Sequence, residues 1–259
     1  MNPAGALVLK LVLTPVLVGA ASLAGRRWGS AVGGWLIGIP FTSGPIAFFL
    51  ALSPGPRFAA TAAVGIMAGA TSQAAFCLAY SWSAQSLGWA ACLVMATAAY
   101  GVVTILLNLV LLPPVASFVV TILVLVVALF LAPGERTHSA APIDFPRWDI
   151  PARMVVATGF VIVLTAAAPH LGARLAGLLA PFPLYGSVLA GFAHRLQGAD
   201  PAVGVLRGLL LGLFAFASFF LVLALLLPYG VALAFASAII AAVVVQGASL
   251  VTGRRIGLA

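Results

Sequence analysis

The residues best placed to do chemistry sit where two apolar stretches are interrupted. The first reads "IPFTSGPIAFF" (residues 39 to 49) and the second "PFPLYGSVLAG" (residues 181 to 191). In the first, Ser43 can cap and Pro45 can occupy the opening turn of a helix that starts afresh in mid-stretch. Proline suits that turn because its missing N–H would have been unbonded there anyway. The remaining orphan N–H groups, with Thr42, Ser43 and Gly44 around them, would turn the positive end of a helix dipole toward a guest. Tyr185, Gly186 and Ser187 can build the same device in the second stretch. Two opposed half-helix starts make a site for an anionic group. Thr71 and Gln73, directly beyond Gly69, bring a hydroxyl and an amide to a similar depth and complete the expected substrate-binding set. Taken singly, each such polar group is also explained by hydrogen bonding between helices.

Other chemistries lack their residues. The sequence has no His/Cys/Asp/Glu cluster at metal spacing, no Gly-rich phosphate loop and no Ser/His/Asp set on facing segments, so neither an enzyme nor a metal or cofactor is expected. The compact polar run "HRLQGAD" (residues 194 to 200) reads as a solvated turn. Of four acids, Glu135, Asp144 and Asp149 fall in one loop and Asp200 in a turn. With no carboxylate inside a span, a proton relay built on an intramembrane acid is disfavoured. Lys10 and Arg207 lie about one turn inside their spans, where long basic side chains extend to the headgroups. His170 and His194 read as interfacial, and Cys77 and Cys92 as small buried hydrophobes.

The elements that would hold these residues are membrane helices. Hydrophobic residues make up 64% of the 259, charged residues 6%, and mean hydropathy is +1.24, which places the chain outside soluble domains. Apolar runs of about 20 residues, each long enough to cross a bilayer, lie roughly at 5–25, 31–53, 58–81, 89–111, 114–132, 152–172, 173–193, 202–227 and 230–251. Pro113-Pro114 divides the fourth from the fifth, since two prolines remove two donors. The expected fold is an all-α polytopic membrane protein of about nine transmembrane helices. A cleaved signal peptide is not expected, because the first run has no basic flank before it and exceeds an h-region in length.

A net charge of +8 could indicate nucleic acid, but the basic residues stand singly or in pairs at span ends, as topology signals do. With the N-terminus outside, Arg26, Arg27, Arg136, Arg147, Arg153, Arg195, Arg254 and Arg255 are cytoplasmic, against Lys10, Arg57 and Arg174 outside. The N-terminus is therefore expected outside and the C-terminus in the cytoplasm. Abundant Arg and Ala with almost no Lys fit a GC-rich bacterial genome, and so a bacterial inner membrane. The loop "APGERTHSAAPIDFPRWDIPAR" is too short and proline-rich for a domain and reads as a linker.

The chain also repeats itself. Pro40-Phe41 matches Pro181-Phe182, Gly44 matches Gly186, Gly55 matches Gly198, and the pair Gly65/Gly69 matches Gly208/Gly212; Lys10 matches Arg153. Five spans separate the copies, an odd number, so the copies insert with opposite orientation. The expected organisation is a first membrane repeat at 1–112, a linking helix and cytoplasmic loop at 113–151, and a second, inverted repeat at 152–259. Each repeat has four helices, and the fifth span joins them. Irregular backbone at membrane depth survives only when buried in protein or lining a wet cavity, and paired broken helices are the layout of secondary transporters. The glycine pairs, Gly34/Gly38 included, read as close helix contacts.

This arrangement of two inverted halves, each with a Pro/Gly-broken span followed by a glycine-containing helix, resembles bile-acid:sodium symporters and related anion and auxin carriers. The resemblance implies movement of organic anions around crossed broken helices. The sequence departs from that pattern in having nine spans and in placing the break in the second span of each half, and the acidic and asparagine sodium ligands of some members are absent. The function expected is alternating-access transport of a small, anionic or amphipathic organic solute. Membrane lipids are the surrounding partners, and a homodimer suits so small a bundle. The alternatives are a lipid flippase or scramblase, with Arg57, Arg195 and Arg207 on lipid phosphates, and an accessory subunit that transports nothing.

Overall fold

The computed structural model describes residues 3–40, 43–52, 55–110, 112–134, 148–159 and 181–255. All regular structure among them is helical. In chain order the helices are α1 (Pro3–Trp28), α2 (Ser30–Ile37), α3 (Ser43–Leu52), α4 (Pro56–Ser83), α5 (Trp89–Leu107), α6 (Pro114–Leu131), α7 (149–159), α8 (Leu184–Gln197), α9 (Ala199–Leu226) and α10 (Val231–Arg255). Five described stretches are long and apolar enough to cross a membrane: Pro56–Ser83, Trp89–Leu107, Pro114–Leu131, Ala199–Tyr229 and Val231–Gly253. They correspond to the expected third, fourth, fifth, eighth and ninth spans. The first span coincides with α1 and the second with α2 and α3 together. The sixth and seventh fall partly on residues 160–180, outside those described.

Helices α4 and α9 are the centre of the bundle. α4 packs against α3, α5, α6 and α9, and α9 packs against α2, α4, α6, α8 and α10. Most of α9 from Ala202 to Phe220 is buried, whereas α5, α6 and α10 turn large apolar side chains outward, among them Val94, Ile105, Leu123, Phe130, Ile240 and Val243. An apolar exterior around a tightly packed interior fits lipid rather than water.

Glycine decides how close the central helices come. A Cβ on Gly34 would overlap the carbonyl of Val205, one on Gly208 would overlap that of Ala31, and one on Gly38 would lie 2.5 Å from the Gly212 Cα. These small residues let α2 and α9 touch backbone to backbone, which is how membrane helices gain van der Waals contact without a hydrophobic driving force. Because Gly34 meets Val205 and Leu209 while Gly38, one turn on, meets Gly212, the two helices run parallel. The same register continues beyond the interruption, where Gly44 faces Phe219. On the other side, Trp35 bonds to Gln246 and Phe48 meets Phe235 edge-on at 5.2 Å, so α2 and α3 advance together, antiparallel to α10. They continue in one direction across the interruption.

α4 runs against α9. The indole N–H of Trp82, at the end of α4, donates to the Leu131 carbonyl, while Arg207, near the start of α9, donates to the carbonyls of Ala132 and Pro133. The end of one and the start of the other therefore flank the same helix terminus. Arg207 corrects the sequence expectation: it is 6% exposed and saturates the carbonyls at the C-terminal end of α6 instead of extending to headgroups.

The two central helices have equal lengths of 28 residues, and both ends of α9 lie 143 residues after those of α4 (Pro56 to Ala199, Ser83 to Leu226). Each follows a glycine in extended backbone of positive φ, Gly55 at 133° and Gly198 at 100°. That region is open to glycine almost alone, because a Cβ would strike the flanking peptide. Replacing Gly198 with alanine is expected to cost about 1–3 kcal/mol, seen as a lowered unfolding temperature in detergent, although among the described residues nothing lies within 4 Å of the added carbon. Gly55→Ala should behave alike.

Candidate functional site

The first broken span comes apart at Gly38–Pro40. The Gly38 and Ile39 N–H groups close tight turns onto Trp35 and Leu36, and the Gly44 N–H reaches back to the Pro40 carbonyl at 2.9 Å. The described part of α3 begins at Ser43, and Thr42 lies outside the described residues. Pro45 is the third residue of α3, within the opening turn as expected. At about 12 and 15 Å, α2 and α3 are each roughly half of a 30 Å hydrocarbon core.

The second stretch also opens a helix, and the residues that precede 181 lie outside those described. Residues 181–183 are non-helical and α8 starts at Leu184, with Pro183 in the capping place and no side chain closing its first turn. Proline fixes the entry because it cannot continue a preceding helix, yet its own φ is compatible with starting one. Ser187 does not serve the helix start: its hydroxyl donates to the Leu184 carbonyl at 2.8 Å, inside α8. Tyr185 and Gly186 occupy the first turn.

The fold brings the two interruptions together. A Cβ on Gly186 would come within 2.7 Å of Leu209 and 3.7 Å of Ile37, so the last turn of α2 and the first turn of α8 meet over α9. Pro181 lies against Gly69 of α4, 2.6 Å from the place of a Cβ, and Phe182 stands edge-on to Phe76 and Tyr100 at 5.9 and 5.3 Å. Ser43, Gly44 and Gln73 are buried. Thr71, two residues from Gly69, keeps a buried Oγ1 that no described group bonds, while neighbouring Ser72 accepts from Thr104 at 2.8 Å. A buried hydroxyl left without a partner in an apolar bundle costs free energy, and so marks a place where a guest can compensate.

A polar layer that the sequence reading missed lies at the end of the bundle where α1 stops and α7 and α9 begin. Asp149, placed by that reading in the linker, is the first residue of α7 and fully buried. Its two oxygens accept from Arg26 at 2.7 Å and from Arg153 at 2.8 Å. Arg153 itself is 6% exposed and lies over the Phe192 ring at 5.4 Å. Asp149 and Arg153 stand four apart, the spacing at which helical side chains meet, and that was the available signal. In the same layer the Tyr80 hydroxyl lies 3.2 Å from His194 Nδ1, which ties α4 to α8, so His194 is a partly buried bundle contact.

Between α1, α2, α7, α8 and α9 this layer encloses a cavity of about 50 Å³. It lies on the α2 side of the first interruption and is separate from the contact between the two breaks. His170 and Arg174 lie outside the described residues, as does the Lys10 side chain. Comparison with protein-family models, curated proteins and solved structures finds no match to this chain.

Proposed function

We propose that this protein is a secondary transporter of a small, anionic or amphipathic organic solute, working by alternating access around two broken helices. One observation carries the reading: α4 and α9, matched in length and in leading glycine, run in opposite directions, and each follows a shorter helix that starts near Pro40 or Pro181. A duplication in one sense would make α9 antiparallel to α2 and α3; the register of Gly34, Gly38 and Gly44 along it is parallel. Inverted copies with interruptions in contact are the layout in which a central site can open first to one side and then to the other. The glycine contact between α2 and α9 supplies a smooth surface for such sliding, since no side chain interlocks the two backbones. Placement in a bacterial inner membrane, N-terminus out and C-terminus in, follows the arginine distribution. In this reading Thr42, Ser43, Gly44, Pro45, Tyr185, Gly186, Ser187, Thr71 and Gln73 surround the solute.

Purified protein in liposomes should accumulate at least one member of a panel of small organic anions above protein-free liposomes under an imposed sodium or proton gradient. Thr71→Val should lower that uptake about tenfold, the equivalent of one lost hydrogen bond to a charged guest. The variant should be no less stable than the parent, because the hydroxyl it loses has no described partner. Folded protein without any uptake would remove the proposal, and movement of labelled phospholipid between leaflets would replace it with a flippase.

A further inference from the structure

The cavity at the arginine end has the composition of a built site. Ser22, Ser30, Arg26, Arg153 and Gln197 give it polar lining, and Ala21, Leu189, Ala193 and Val205 give it apolar walls. Ser22 is 4% exposed, and its Oγ has no hydrogen-bond partner among the described residues. Arg153 spends its Nε on Asp149, and its terminal nitrogens make no hydrogen bond to a described group. A guanidinium with unbonded terminal donors and an unsatisfied hydroxyl, 94% and 96% buried respectively, line the same space. Interiors seldom leave such donors idle, because each loses its hydration and gains nothing in return.

We propose that this cavity binds an oxyanion, the carboxylate or phosphate group of a small organic acid or of an anionic lipid headgroup. Arg153 donates from its terminal nitrogens, Ser22 donates its hydroxyl, and Gln197 in the lining adds an amide. Asp149 holds the Arg153 guanidinium in place. About 50 Å³ of space admits three or four water-sized groups, enough for the oxyanion and too little for a bulky molecule. A tail attached to it must leave past Gln197 or along the apolar wall. The site is separate from the two interruptions and does not depend on the transport reading.

The test uses full-length protein in a neutral maltoside detergent, free of phosphate and of anionic lipid, with unfolding temperature as readout. Acetate, inorganic phosphate and phosphatidylglycerol are titrated separately. Saturable stabilisation by acetate or phosphate assigns a soluble anion, and stabilisation by phosphatidylglycerol alone assigns a headgroup; either supports the site. Ser22→Ala should weaken whichever stabilises by about tenfold, while the unfolding temperature without ligand stays the same or rises, since no native hydrogen bond is lost. Arg153→Lys, which keeps the charge but loses the planar fork, should weaken it by a similar factor. If none of the three stabilises the parent protein, or if Ser22→Ala binds as tightly as the parent, the site does not exist.

Discussion

Replacing Asp149 with alanine is expected to cost about 3–5 kcal/mol, the usual penalty for removing one member of a buried ion pair. The magnitude follows from what is left behind. Arg26 keeps 29% of its side chain exposed and can turn to water, but the Arg153 side chain is 7% exposed and would remain charged in an apolar wall. Thermal or chemical unfolding in detergent would register the loss, and a large fall in the amount of folded protein recovered would accompany it. The companion experiment separates charge from packing. Asp149→Leu combined with Arg153→Met removes both charges together and should recover most of the stability, because a hydrophobic replacement avoids the desolvation that the ion pair must overcome. If Asp149→Ala costs less than about 1 kcal/mol, the range of an exposed pair, the carboxylate is solvated and the layer is not a buried one.

The second large effect belongs to the contact between α2 and α9. Gly208→Val would drive a branched side chain into the backbone of Ala31 and Trp35, where even a single carbon finds no room. Neither helix can yield locally, because the neighbouring contacts of Gly34 with Val205 and of Gly38 with Gly212 are equally close. The helices must separate along their whole interface, and a loss of about 3 kcal/mol or more is expected, at the upper end for overpacked cores. Gly65 supplies the control on the same repeat position: it is exposed, and among the described residues nothing lies within 4 Å of its added Cβ. Gly65→Val should therefore lose much less than Gly208→Val in the same unfolding assay.

The contrast between Gly65 and Gly208 shows where the sequence was legible. Helix limits were, because they rest on local chemistry: Pro113-Pro114 does open α6. The matched Gly55 and Gly198 prove to stand just before α4 and α9, at a positive φ that favours glycine. The interruption near Pro40 and the helix start just after Pro181 were legible for the same reason. Which glycine of a matched pair presses on a neighbour was not, since that depends on which helices face each other. Arg207 was misjudged by the rule that long basic side chains near span ends reach for the headgroups, and Asp149 by its place in a proline-rich loop. Both instead find partners across the bundle: Asp149 two arginines, Arg207 the open carbonyls after α6. Those partners lie 123 and 75 residues away in sequence for the Arg26 and Ala132 contacts, beyond the reach of any local pattern. The unpaired hydroxyls of Thr71 and Ser22 were equally hidden, because being unpaired is a property of surroundings.

The proposed transport mechanism requires α4 and α9 to be threaded oppositely through the membrane, and one labelling experiment decides it. Arg57 and Arg195 are exposed and stand near the starts of α4 and α9, while the native Cys77 and Cys92 are both buried. Arg57→Cys and Arg195→Cys, made separately, are exposed to a membrane-impermeant maleimide in intact cells and in inverted vesicles. The account predicts that Arg57→Cys reacts in intact cells and Arg195→Cys only in inverted vesicles. Reaction of both from the same side would contradict it.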